Sequence, residues 1–488
     1  SDLRRFIGFG GNWGFGESNL NYREREYDIA VAYHADMNFT MIRNWVGQIG
    51  DKEFYEACDR HGIMVWQDFW LANPVDGPNP YYTEMFNANA CDYLKRIRNH
   101  PSIGIYVGRN EGNPPAGIDD YLRGLVFREH PGLYYISNSA MGVVSGGGPY
   151  RALSPKSYFQ SYGHDKFHSE RGMPNVMNYE SMLLTFGTDK IEPVNTSETP
   201  NPVYGLHDYT LGGGKGSSAQ AASSFNDMIE KAFGRPRDAK QFAEWAQWIN
   251  YDGYRAIFEG RSEHRRGMLL WMSHSAWPSM VWQTYDYYFD PNAAYFGCKK
   301  ASEPLHIQWN PLRDDIEVVN YHAFDRTGLT ATASLFNQDG TLQWTRETKL
   351  DIKEDQTVAC FPLEQPETLS DTYFIKLSLT DSDGKQLSDN FYWRGKEDGN
   401  YKSLLQLPKV SVCKNVTVKK TGKEWLIRAV LKNEARTPAL MLRLKVAGEK
   451  SGRMLLPVFY SDNYFSLLPG EVKEVDIRLY DADTYGEK

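Results

Sequence analysis

Cysteine is scarce in this sequence. There are five in 488 residues (Cys58, Cys91, Cys298, Cys360 and Cys413). The set is odd in number, widely scattered and without a C-x-x-C pair, and no H-E-x-x-H run occurs; this argues against a disulfide framework and against a zinc site. Long apolar runs are missing as well. None approaches the ~18–20 residues that cross a bilayer, so no membrane span is expected. No tract rich in lysine and arginine appears and the formal net charge is −8, which makes nucleic acid and anionic membrane surfaces poor partners. A G-x-G-x-x-G phosphate turn is absent: the nearest candidate, Gly8-Phe9-Gly10-Gly11, has the wrong spacing and opens no helix. No motif calls for a metal or a cofactor. The opening SDLRRFIGFGGNW lacks the basic region and apolar core of a signal peptide. It runs straight into a strand-like segment, so further chain is expected upstream.

Aromatic residues are abundant instead, at 14% of the chain with 13 Trp and 31 Tyr. Ten of the thirteen tryptophans precede Pro311, so a ring-lined cleft is expected in that part. Up to about residue 305, short β-rich runs (FIGFGGNW, NFTMIRNWV, GIMVWQDFW, IGIYVGRNE, LYYISNSA, GMLLWMSHSAW) alternate with helical stretches. Among the latter, DKEFYEACDRHG ends on the glycine that closes helices, and DAKQFAEWAQWINYDGYRAIFEG carries an apolar stripe of 3.6-residue period. Such alternation means a parallel sheet. Polar and aromatic residues gather just after the strand runs, as Arg43-Asn44-Trp45, Gln67-Asp68, Asn110-Glu111 and Ser273-His274-Ser275. Active sites of barrels lie at the C-terminal strand ends, so this distribution favours a (β/α)8 TIM barrel over an open sheet. After Pro311 the runs become short strands separated by turns such as Asp339-Gly340 and Asp383-Gly384. The expected organisation is α/β: a TIM barrel over 1–310, then two all-β immunoglobulin-like sandwiches over 311–398 and 399–488.

Two glutamates draw attention inside the barrel. Glu111 ends IGIYVGRNE ahead of a Gly-Asn-Pro-Pro loop, and Glu170 lies in KFHSERGMPN. Taken singly, Glu111 reads first as a solvated rim carboxylate, and Glu170 first as a salt-bridge partner of Arg171. Taken together, their spacing leaves room for two or three strands between them. Two carboxyls at barrel strand ends suit glycoside hydrolysis, in which one acts as acid and the other as nucleophile, ~5–5.5 Å apart in retaining enzymes.

NHPSIGIYVGRNEGNPP resembles the strand-4 signature of glycoside hydrolase family 2, and FHSERGMPN resembles its nucleophile segment. WMSHSAWPSMVWQTYDYYFDPNAAYFGCKKASEPLHIQW is similar to the last-strand region of the β-mannosidase and exo-β-glucosaminidase branch. SDNFYW and PVFYSDNYFSLLPGE resemble strands of that branch's C-terminal immunoglobulin-like domains. The resemblance covers most of the chain. It implies Glu111 as acid/base at the end of strand 4, Glu170 as nucleophile at the end of strand 7, and Asn110 as the residue that holds the sugar 2-substituent. Around them, Trp277 is read as a stacking platform or a capping ring, and Trp271 as packing. Arg43 and Trp45 follow the second strand, with Arg43 either orienting a carboxylate or forming a structural ion pair. Asp68 is read as a sugar ligand or a loop cap. Tyr158, Tyr162 and His164 are candidates to hydrogen-bond the nucleophile, and Ser145–Gly148 is expected to be a mobile rim.

The resemblance further implies a retaining β-glycosidase acting on terminal β-linked sugars of oligo- or polysaccharides. The branch with glucosamine specificity tends to carry Ser-Asp in place of Asn110-Glu111, which leans the reading toward β-mannoside-like substrates. Exo-β-glucosaminidase and β-galactosidase activity, or a non-catalytic carbohydrate-binding role, are the alternatives. Family members usually carry a sugar-binding jelly roll and a β-sandwich ahead of the barrel, so those domains are expected to be missing here. A periplasmic or secreted location follows from the same resemblance.

Overall fold

The computed structural model describes residues 6–160, 165–196, 198–208, 217–261 and 266–487, with 217–222 described by backbone alone. The described residues fall into two compact units, one within 6–150, 165–173 and 266–287 and the other within 151–160, 174–261 and 288–487.

The first unit holds eight parallel strands: β1 (Phe9–Trp13), β2 (Met41–Asn44), β3 (Met64–Asp68), β4 (Ile103–Arg109), β5 (Tyr134–Asn138), β6 (Val144–Ser145), β7 (Phe167–Arg171) and β8 (Met268–Leu270). Their order is β5-β4-β3-β2-β1-β8-β7-β6, the cyclic order of a TIM barrel, with each of these neighbouring pairs parallel. Two strands, β5 and β6, separate the segments carrying the two glutamates. Helices Glu24–Asp36, Lys52–His61, Thr83–Ile97 and Ala116–Glu129 connect the first five strands. Lys52–His61 stops at Gly62, whose φ of +70° lies in the left-handed region that glycine adopts without strain. Gly10 answers to a different constraint: a β-carbon there would stand 1.6 Å from the Met41 carbonyl oxygen, so only glycine lets β1 lie against β2.

Strand geometry explains how an apolar floor carries a polar site. Side chains two apart along a strand share a face. Met41, Trp66, Val107, Val144 and Leu269 form one buried cluster inside the barrel, with Phe167 packed against it. Two residues further along their strands, on the same faces as Met41 and Trp66, stand Arg43 and Asp68. On β7 the pairing with β8 shifts, His168 facing Met268 but Arg171 facing Leu270, so one extra residue is accommodated. Such a bulge re-aims side chains, and Glu170 lies within it.

The second unit contains the helices from Pro155–Phe159 to Ala293–Ala301, among them the long Ala239–Glu259, and then only strands apart from short helical turns. β9 (Leu305–Asn310), β10 (Asp315–Asn320) and β13 (Gln356–Pro362) form one antiparallel sheet. β11 (Arg326–Asn337), β12 (Leu342–Ile352), β14 (Thr372–Thr380) and β15 (Gln386–Gly395) form another. A single core including Ile307, Val318, Leu335, Phe361 and Leu377 lies between them. Gly340 and Gly384, in the turns read from the sequence, adopt φ of +90° and +78°. The last strands are β16 (Cys413–Thr421), β17 (Glu424–Lys432), β18 (Ala439–Leu442), β19 (Val458–Tyr460), β20 (Phe465–Leu467) and β21 (Val472–Tyr480), in sheets β16-β17-β21-β19 and β18-β20. No described helix is long and apolar enough to cross a membrane.

Candidate active site

Arg43 is the hub. Its side chain is fully buried, a position a guanidinium tolerates only when its charge and N–H groups are matched. Nε and Nη2 donate to Asp68 Oδ2 at 3.0 and 2.7 Å, Nη1 donates to Glu170 Oε1 at 2.6 Å, and Nη2 also donates to Asn110 Oδ1 at 2.7 Å. One planar cation therefore ties together β2, β3, β7 and the end of β4. Burial works against its charge, but Asp68 and Glu170 outweigh burial and keep it protonated. Asp68 is fully committed here: besides Arg43 it accepts from Trp66 Nε1 at 2.7 Å and from the Val46 N–H at 2.9 Å.

Glu170 is 2% exposed. Its second oxygen accepts from the Tyr150 hydroxyl at 2.6 Å, and the same hydroxyl stands 3.2 Å from Glu111 Oε1. By way of that shared hydroxyl one oxygen of each carboxyl, Glu111 Oε1 and Glu170 Oε2, lies within about 6 Å of the other, a spacing compatible with the ~5–5.5 Å of retaining glycosidases. The Glu170 carboxyl is raised to about 7 in all: burial and Glu111 push it up, while Arg43 and the Tyr150 hydrogen bond pull it down. Burial and both carboxylates hold the Tyr150 hydroxyl protonated, so it is the donor in each contact.

Glu111 follows β4 with a φ of +46°. This conformation costs a non-glycine residue of the order of 1–3 kcal/mol and persists where surroundings impose it. Those surroundings are visible: the Glu111 N–H donates to Ser139 Oγ at 3.0 Å, and a β-carbon on the following Gly112 would meet Pro74 Cδ at 2.9 Å. Asn110 is oriented by two donors to its carbonyl oxygen, Arg43 Nη2 and, at 3.3 Å, Ser139 Oγ. Its amide nitrogen is left to donate elsewhere.

Aromatic rings surround Tyr150. Trp271 and Trp282 stand 6.2 and 6.0 Å from it, and Trp45 meets Trp271 edge-on at 4.9 Å. The structure thus brings together Glu111, Glu170, Asn110, Arg43, Asp68 and Trp45 of the residues singled out from sequence. Trp277 stands on the loop beyond β8, 39% exposed, with its carbonyl oxygen accepting from Ser275 Oγ at 2.6 Å. His164 and Tyr162 lie outside the described residues. The Tyr158 hydroxyl donates to the Arg151 carbonyl oxygen at 3.3 Å, and the tyrosine that reaches Glu170 is Tyr150. Sequence reasoning did not single out Tyr150, Ser139 or Trp282. The clue to Tyr150 is the Gly146-Gly147-Gly148-Pro149 run before it. That run is held rather than mobile: the Gly148 N–H donates to the Glu170 carbonyl oxygen at 3.1 Å, and the Gly148 oxygen pairs with His168 Nε2 at 2.7 Å. No cluster of three or more metal-ligating side chains occurs among the described residues.

Comparison with known proteins finds relatives along nearly the whole chain. Residues 390–488 match the family model of the exo-β-D-glucosaminidase Ig-fold domain. The mannosylglycoprotein endo-β-mannosidase of Lilium longiflorum is 27% identical over 96% of this chain and 60% of its own length. The exo-β-D-glucosaminidase of Streptomyces avermitilis is 27% identical over 99% of this chain and 58% of its own. The chain therefore spans somewhat over half the length of these relatives. In fold, it is similar to the exo-chitosanase of Amycolatopsis orientalis, with a TM-score of 0.88 at 23% identity over 99% of this chain and 62% of that one. It is also similar to the β-D-mannosidase of Dictyoglomus thermophilum, with a TM-score of 0.78 at 20% identity over 97% and 58%. Residues 390–488 thus match an exo-β-D-glucosaminidase Ig-fold domain, and the chain as a whole is similar in sequence to β-mannosidases and exo-β-D-glucosaminidases.

Proposed function

We propose that this chain carries the catalytic centre of a retaining β-glycosidase that releases terminal β-linked sugars, β-mannoside-like, from oligo- or polysaccharides. The observation that carries the reading is the single Tyr150 hydroxyl shared by Glu111 and Glu170. Glu170, held by Arg43 and Tyr150, attacks the anomeric carbon while Glu111 protonates the departing oxygen. This leaves a glycosyl ester on Glu170. Glu111, now a carboxylate, takes a proton from water, and that water's oxygen displaces Glu170 from the sugar. The free amide N–H2 of Asn110 suits the sugar 2-hydroxyl, where a hydrogen bond strengthens as positive charge develops on the ring. Trp45, Trp271 and Trp282 offer apolar walls to the pyranose. The expected setting, by family resemblance, is outside the cytoplasm.

A neutral sugar fits best because Asp68 and Glu170 are both matched by Arg43. With Glu111 needed for proton transfer, no carboxylate of this set is left to face an amine. Exo-β-glucosaminidase action is the second reading, favoured by the Ig-fold match and by the relatives of that name. Aryl β-mannoside, β-glucosaminide and β-galactoside, assayed with the unaltered chain, Glu111→Gln and Glu170→Gln, decide between them. A 2-deoxy-2-fluoro glycoside of the preferred sugar should label Glu170 covalently, as seen by peptide mass. Full activity in Glu170→Gln, or labelling elsewhere, overturns the assignment.

A further inference from the structure

Ser139 follows the last residue of β5 and is fully buried. A buried hydroxyl needs hydrogen-bond partners, and this residue finds them at the end of the neighbouring strand. Its N–H donates to the Arg109 carbonyl oxygen at 3.1 Å, its hydroxyl to Asn110 Oδ1 at 3.3 Å, and its Oγ accepts from the Glu111 N–H at 3.0 Å. One residue therefore grips three consecutive ones. The hydroxyl has a single proton, and giving it to Asn110 leaves lone pairs for Glu111. The adjacent Asn138 continues the seam, Nδ2 donating to Asn113 Oδ1 at 3.3 Å. The Glu111 carboxylate has little else to hold it. Among the described residues its one hydrogen bond comes from the Tyr150 hydroxyl, at 3.2 Å. Where that carboxylate stands is set chiefly by its backbone, at a φ of +46°.

We propose that Ser139 is a positioning residue for the reaction. Its hydroxyl fixes the acid through the Glu111 backbone and turns the Asn110 amide nitrogen toward the sugar 2-position. The inference rests on the roles proposed above for Glu111 and Asn110. A general acid works only within hydrogen-bond reach of the departing oxygen, and misplacement by about 1 Å costs on the order of a hundredfold. Ser139→Ala removes both contacts: the Glu111 N–H loses its acceptor, and Asn110 keeps only Arg43 as orienting donor.

The test is kcat/KM of Ser139→Ala on three substrates that ask different things of the two residues. Methyl β-mannoside needs both the acid and the 2-hydroxyl contact. The dinitrophenyl β-mannoside has a leaving group that departs without a proton, and the 2-deoxy form of that compound needs neither residue. At about fivefold for each hydrogen bond lost, the replacement should cost about 25-fold, about fivefold and almost nothing, in that order. An equal loss on all three is what a merely structural residue gives, and it overturns the proposal. Glu111→Gln keeps the two readings apart. If it loses equally on the methyl and dinitrophenyl substrates, the acid assignment falls. If its loss is graded and that of Ser139→Ala is flat, only the role of Ser139 falls. A crystal structure of Ser139→Ala reads the positions without turnover. It should show Glu111 out of the left-handed region or the Asn110 amide turned; both unmoved overturns the proposal, whatever the chain hydrolyses.

Discussion

Replacing Glu170 by glutamine should abolish turnover and at the same time make the protein more stable, increasingly so as pH rises. The carboxyl is fully buried and its pKa is raised from 4.5 to about 7, with burial as the main cause. A carboxyl whose folded pKa lies above its unfolded value keeps its proton in the folded state where the unfolded chain has lost it. Stability therefore falls as pH climbs from about 4.5 to about 7, and the cost is complete above that. A gap of about 2.5 pH units at 1.36 kcal/mol each comes to about 3 kcal/mol. Glutamine has no charge to bury and keeps an oxygen that accepts from Arg43. The variant should thus match the unaltered chain near pH 4 and exceed it by about 3 kcal/mol near pH 8. Denaturant unfolding of both proteins across this range reads the difference directly, since other titrating groups cancel. A variant less stable near pH 8 would mean that the Arg43 ion pair outweighs burial. A difference that does not change with pH would mean that Glu170 does not titrate in this window. Either result refutes the reasoning. The positive result would identify a site held at the expense of stability, as catalytic groups commonly are.

Tyr150→Phe removes a donor that stabilises the charged form of Glu170. It should lower kcat/KM about ten- to a hundredfold, the worth of one hydrogen bond to a charged group. It should also move the acid limb of the kcat/KM profile to higher pH, and a limb that stays in place refutes the contact. Arg43→Met leaves Asp68 and Glu170 buried without their cation. Unfolding measurements should show a loss of about 3–5 kcal/mol, and a loss under about 1 kcal/mol would show that the hub is dispensable. In the second unit, His306 is fully buried between Glu259 Oε1 and Glu303 Oε2, each 3.0 Å from a ring nitrogen. Burial opposes its charge, but the two glutamates prevail and raise its pKa. Its contribution is complete below the unfolded value of about 6.5 and disappears as pH passes the folded one. The melting-temperature deficit of His306→Gln should therefore be largest near pH 6 and narrow on the alkaline side; a deficit that widens there refutes the imidazolium assignment.

The parts of the site legible in the sequence are those that obey strand periodicity. Met41 and Arg43, and likewise Trp66 and Asp68, are spaced two apart, so an apolar floor and a polar layer above it follow from the alternation. Glu111 shows itself because the apolar run of β4 ends beside it. Tyr150 has no such signal. It belongs to no strand, and it reaches Glu170 only because Gly147 and Gly148, at φ of +76° and +84°, turn the chain there. Trp271 gives no clear signal for a related reason: the apolar run GMLLWM continues through it, but β8 stops at Leu270, ahead of this residue. In the sandwiches the long strands β11, β14 and β21 are plain from sequence. β19 and β20 have only three residues each, too few for a period to register, and their pairing is decided by partners far along the chain.

Arg43 marks where reading from sequence reaches its limit. Orienting a catalytic carboxylate and forming a structural ion pair appear as alternatives when a residue is considered alone. A guanidinium has five N–H donors in one plane, and here they are divided among Asp68, Glu170 and Asn110. The ion pair with Asp68 offsets the cost of burying the cation, and the buried cation then stabilises charge on Glu170. Removing Asp68 should therefore disturb Glu170 although the two carboxylates share no contact. The two readings are consecutive steps of one arrangement, and only the geometry of four strand ends meeting at one side chain makes that visible.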